Sequence, residues 1–220
     1  MAGRDSPRPQ DVPPEGREQQ APSLRAVGTA ADSASAPEHT DRRPLNDLEV
    51  RVLRGVFGDG ISYGPVRLVR MAPFIAQLNG SRAFVLGNTL NLPERDFAAI
   101  SRGQRLDLLV HEATHLWQYQ HQGWGYVAEA LWAQGFGDGY DYVKALRAGK
   151  PWREMNPEQQ AQLIQDAFRG GYFDAPGARF GAVSNTGTAV RPGWEPPDGF
   201  SDFTPVLVAA VEALQKPHQY

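Results

Sequence analysis

The chain contains no cysteine, which excludes disulfides, iron–sulfur clusters and thiolate metal sites, so any bound zinc must be held by histidine and carboxylate. It contains no apolar run of 18 residues that could span a bilayer. Nor does it open with a basic start and an apolar core of the kind a secretory signal peptide shows. Excess positive charge is also missing. With a net charge of −3, nothing electrostatic points to nucleic acid or an anionic membrane as partner. Lysine occurs only at Lys144, Lys150 and Lys216, the other basic residues being arginine, as in proteins from GC-rich bacterial genomes. These absences predict a protein made soluble, working in the cytoplasm or exported without a signal peptide by a dedicated secretion system.

What is present is concentrated in one segment. Residues 111–115 read His111-Glu112-Ala113-Thr114-His115, and neither glycine nor proline interrupts Gln104 to Gln122. Apolar positions at Leu106, Leu109, Val110, Ala113, Leu116, Trp117 and Tyr119 predict a helix bracketed by Gly103 and Gly123. Histidines four apart on a helix share a face one turn apart and can chelate a single ion. Glu112, beside the first of them, is placed to take a proton from a water on that metal, as metal-assisted hydrolysis requires. Zinc is the metal this donor set suits.

Residues 1–43 are rich in Pro, Ala, Arg, Glu, Gln and Ser without clear period, and are expected to form a disordered arm. A single folded domain is expected over 44–220. Leu45, Leu48, Val52, Leu53 and Val56 predict a first helix ending at Gly58. Val66–Arg70 alternates as a strand, and Ala83–Leu86 and Thr89–Leu92 across Gly87-Asn88 read as a further strand or hairpin. Helices are expected at Tyr126–Gln134, Tyr140–Ala148, Pro157–Arg169 and from Pro205 to about Gln215, with loops and one strand after Tyr172. The fold class is therefore α+β: a small, mostly antiparallel sheet packed on the metal helix, followed by a helical half, with the active site in the cleft between them.

Catalytic zinc takes three protein ligands. Glu158 lies in Asn156-Pro157-Glu158-Gln159-Gln160-Ala161, where Asn156 reads as N-cap, Pro157 as the first helical residue and Gln159 as the far half of a capping box. His121 competes, because His111, His115 and His121 have metzincin spacing; but that consensus places Gly where this chain has Gln118. On a continuing helix His121 would lie about 15 Å beyond His111 along the axis. Glu129 is a third candidate. Asp107 and Gln118, near the metal face, are candidates to orient a histidine or the water. Tyr140 and Tyr142 are candidates to steady an oxyanion.

The segment Leu108–Gln118, preceded by Gly87-Asn88-Thr89-Leu90 and followed by Tyr140-Asp141-Tyr142 and Asn156–Ala161, resembles bacterial zincin-type metallopeptidase domains. Among these it is similar to small proteins related to the type VI secretion spike and, more distantly, to peptidase-like core domains of contractile injection systems. The resemblance covers roughly residues 45–170 and implies a zincin-like, gluzincin-type site with a glutamate from a later helix as third ligand, which matches Glu158. It also implies that a sheet-edge strand, Ala83–Leu86 or Thr89–Leu92, pairs with an extended substrate. The expected function is a zinc-dependent peptide-bond hydrolase with metal ligands His111, His115 and Glu158, Glu112 as base, and a peptide or protein as substrate. Secretion-apparatus proteins are the expected partners. The alternative is a catalytically inactive, zinc-stabilised adaptor of a secretion apparatus.

Overall fold

In the computed structural model the described residues are 41–78, 80–133, 141–175, 177–183, 186–189 and 198–217, with 124–133 and 186–189 described as backbone. The arm expected at residues 1–43 lies outside them up to residue 40, and the elements below belong to the unit His39–Tyr220. Arg42 and Arg43, assigned to that arm by composition, are instead the start of a strand.

The chain runs β1 (Arg42–Pro44), α1 (Asp47–Phe57), β2 (Arg67–Arg70), α2 (Pro73–Leu78), β3 (Phe84–Leu86), β4 (Thr89–Leu92), α3 (Glu94–Ser101) and α4 (Leu106–Ala133). It continues with α5 (Tyr142–Arg147), α6 (Pro157–Arg169), β5 (Phe180–Val183), β6 (Thr186–Ala189), β7 (Phe200–Asp202) and α7 (Thr204–Leu214). Helix α1 starts at a capping box: the Asn46 side chain accepts from the Glu49 amide at 2.9 Å, and Glu49 Oε2 accepts from the Asn46 amide at 2.9 Å. Glu49 is fully buried, and its charge is met by a two-pronged contact from Arg43, at 2.6 and 2.8 Å, which ties β1 to α1.

The first sheet has the order β1-β2-β4-β3. Its outer pairs are antiparallel, but β2 and β4 run parallel at its centre, so the sheet is mixed where a mostly antiparallel one was expected. The cause is the connection from β2, which passes through α2 and β3 before β4 returns alongside. β3 and β4 form the expected hairpin, its turn made possible by Gly87 at φ 62°. Because β4 lies between β2 and β3, Thr89–Leu92 cannot receive a substrate strand; of the two expected candidates only β3 has an edge that no strand covers among the described residues.

Leu68 of β2 and Leu90 and Leu92 of β4 share one core with Leu109, Val110, Ala113 and Leu116 of α4, all inaccessible to solvent. Helix α6 covers α4 with Ala161, Leu163, Ile164 and Ala167 also buried, and its start is the second capping box, with Pro157 at the first position. The region after Tyr172 was expected to be mostly loop, yet β6-β5-β7 form a second, antiparallel sheet. Strands of three and four residues containing Gly181 and Gly187 carry too little apolar alternation to be read from sequence.

Candidate metal centre

Helix α4 is continuous through His121 and breaks at Gly123, whose φ of 75° and ψ of 176° are not helical; the segment after the break was expected as a separate helix. Within the first part, His111 and His115 project on one side, their ring centroids 5.0 Å apart. Glu158, in the first turn of α6, meets both. Its Oε2 is 3.4 Å from His111 Nε2 and its Oε1 is 3.5 Å from His115 Nε2. One ligand atom from each of the three residues falls within 4.8 Å of the other two, so the group has the composition and spacing to hold a metal ion.

Two orphaned atoms fit the same interpretation. Glu158 Oε2 and Glu112 Oε2 are buried and lack a hydrogen-bond partner, a costly arrangement unless a further group meets them. Burial is the main influence on Glu112 and raises its pKa, against the opposing effect of His111 and His115. Burial also acts to raise the pKa of Glu158, but the two imidazoles outweigh it and hold the carboxyl well below the usual range. For His115, burial favours the neutral ring, whereas contact with Glu158 and its charge prevail and push the pKa up to about 9. The carboxylate thus favours a positive charge at the position facing it.

The ring nitrogens turned away from Glu158 are also engaged. His111 Nδ1 is 3.0 Å from Gln165 Oε1, and Gln165 Nε2 donates to Asp107 Oδ2 at 3.0 Å. Asp107 receives Arg169 Nη2 at 2.8 Å; burial opposes its ionisation, but the hydrogen bonds from Arg169 and Gln165 hold its pKa below the usual value. His115 Nδ1 is 2.9 Å from Gln118 Oε1, and Gln118 Nε2 donates to Pro157 O at 3.2 Å and to Gln160 Oε1 at 2.8 Å. Gln118 therefore contacts a histidine directly, and Asp107 reaches one through Gln165. Gln165 and Gln160 were not singled out from sequence. For Gln165 a signal existed: it lies seven residues after Glu158, two helical turns along the same face.

The other candidates lie elsewhere. His121 Nε2 donates to Gly60 O at 2.8 Å, and its ring stacks on Trp117 at 4.4 Å, away from the three ligand atoms. The helix continues past Gln118, where a metzincin chain would turn, and carries His121 past the centre. Tyr142 is buried in the core, its hydroxyl donating to Asp166 at 2.9 Å, so it is not available to an oxyanion. Tyr140 and the Glu129 side chain lie outside the described residues.

Fold and site together define an α+β protein with a candidate metal centre of two histidines and a glutamate. In sequence the chain is similar to the type VI secretion system spike protein VgrG2b of Pseudomonas aeruginosa, with 31% identity over 154 residues, or 65% of this chain. It spans only 15% of the length of that relative. The solved effector domain of the same VgrG2b gives a TM-score of 0.41 and 24% identity, covering 64% of this chain and 80% of that one. No protein-family model matches the chain. Among the described residues, no helix is long and apolar enough to cross a membrane.

Proposed function

We propose that the protein is a zinc metallopeptidase that serves a type VI secretion apparatus. The observation that carries the reading is the pairing of a three-residue ligand group with Glu112, whose buried, partnerless oxygen is within electrostatic reach of His111, His115 and Glu158. A purely structural site has no need of that glutamate. His111, His115 and Glu158 would hold the ion, which when bound supplies a Lewis acid that eases deprotonation of a water and polarises a carbonyl. Glu112 takes the proton of the attacking water as oxygen bonds to the peptide carbon. It then delivers that proton to the departing amine nitrogen as the C–N bond breaks. The outer edge of β3 would hold the substrate in extended form by backbone pairing. The similarity to a spike protein supports the secretion role, with secretion-apparatus proteins as partners.

Glu112→Gln removes a base and no ligand. The variant should fold and keep its metal while losing hydrolysis of denatured protein or peptide libraries by at least about 100-fold, the low end of general-base effects. Hydrolysis undiminished in Glu112→Gln would refute the mechanism. A wild type inactive on such libraries, with Glu112→Gln still supporting the secretion phenotype, would establish the inactive adaptor instead.

A further inference from the structure

We infer that Gln165 and Gln118 are positioning residues that hold a proton on Nδ1 of both histidines, so that Nε2 is the nitrogen each ring offers to a metal. The inference rests on the metal-centre reading and extends it to residues that touch no metal. Its basis is the polarity of two side-chain amides, each fixed at its far end by a group able only to accept. Asp107 Oδ2 is a carboxylate oxygen, so the Gln165 atom 3.0 Å from it must be the NH2 group. The opposite end of that amide, its oxygen, then faces His111 Nδ1 at 3.0 Å and can only accept a proton from it.

The second amide works independently. Pro157 O is a backbone carbonyl, so the Gln118 atom 3.2 Å away is again the NH2 group, and the oxygen faces His115 Nδ1 at 2.9 Å. Gln160 secures the same orientation: it accepts from Gln118 at 2.8 Å while its own Nε2 donates to Trp152 O at 3.0 Å. His111, His115, Gln118, Gln160 and Gln165 are all more than nine-tenths buried, so water does not compete for these bonds. Both Nε2 atoms are left facing Glu158.

The Nδ1 partners of both histidines are neutral carboxamides, where a carboxylate would have been the alternative orienting group. The carbonyl anchoring Gln118 belongs to Pro157, the residue before Glu158, so one bond couples the orientation of His115 to the position of the third ligand. The chain from Asp107 to His111 reads carboxylate, amide, imidazole, with the Arg169 guanidinium on the same Asp107 oxygen.

Long-range 1H–15N correlation of the imidazoles in the metal-free protein tests the inference without activity, and chelator competition with zinc alone tests its consequence. The expected result is a proton on Nδ1 of both His111 and His115. Zinc affinity should fall about 10- to 100-fold in Gln165→Met, with Nδ1 of His111 losing its fixed proton. A neutral His111 or His115 protonated on Nε2, or a folded Gln165→Met that binds zinc as wild type does, would overturn it. If wild type keeps the Nδ1 protons but binds no zinc, the metal reading falls while the tautomer assignment stands.

Discussion

At the scale of residues, the two rivals for third ligand differ in what they already hold. Glu158 has an oxygen with no hydrogen-bond partner, whereas His121 is committed to Gly60 O and to the face of Trp117. Glu158→Ala should therefore weaken zinc binding by orders of magnitude, read by chelator competition. His121→Ala should leave that affinity unchanged and instead lower stability in urea by about 1–2 kcal/mol, the worth of one hydrogen bond and one ring contact. Unchanged zinc affinity in Glu158→Ala would remove it from the centre. The convergence of His111, His115 and Glu158 was legible because it needs only the pitch of a helix and the cap at Asn156-Pro157. Gln118 was legible from its place near the metal face, but Gln165 was not: it acts across α4 and α6 over 54 residues of sequence, and that partnership exists only after packing.

At the scale of elements, α6 does two things with one terminus. Its capping box fixes the first turn, and that turn presents both Glu158 and the Pro157 carbonyl toward α4. Asn156→Ala should cost about 1 kcal/mol in unfolding free energy, and zinc should bind less tightly than in wild type because the ligand's own turn is loosened. A variant that loses stability but keeps full zinc affinity would show that α4 packing alone holds Glu158 in place. The helices visible in sequence were those with apolar residues at helical spacing, α1, α4, α5, α6 and α7, whereas the short α2 and α3 were not expected. The parallel pairing of β2 with β4 was not visible, since it depends on which segment returns alongside β2, and that is set by the tertiary fold rather than by local pattern. The same reason hid the second sheet, whose short strands are defined mainly by their partners.

At the scale of the whole molecule, the C-terminal helix closes on the beginning of the fold. A Cβ placed on Gly60 would stand 1.8 Å from Leu214 O at the end of α7, and Gln215 Nε2 donates to Val56 O at 3.2 Å. Gly60→Ala should destabilise the folded unit by at least about 2 kcal/mol, as overpacking against backbone does, with a matching loss in urea midpoint. Zinc should act in the opposite direction, because His111, His115 and Glu158 join α4 to α6 and an ion bound only by the folded state stabilises it. At free zinc 100-fold above its dissociation constant the gain is about 2.7 kcal/mol, and chelation should remove it. The most direct measurement of the central claim is the zinc K-edge absorption spectrum of the stoichiometrically loaded wild-type protein, which counts the imidazoles around the ion. Two imidazoles together with carboxylate oxygen are predicted; three imidazoles, or zinc with no protein imidazole around it, would contradict the centre formed by His111, His115 and Glu158.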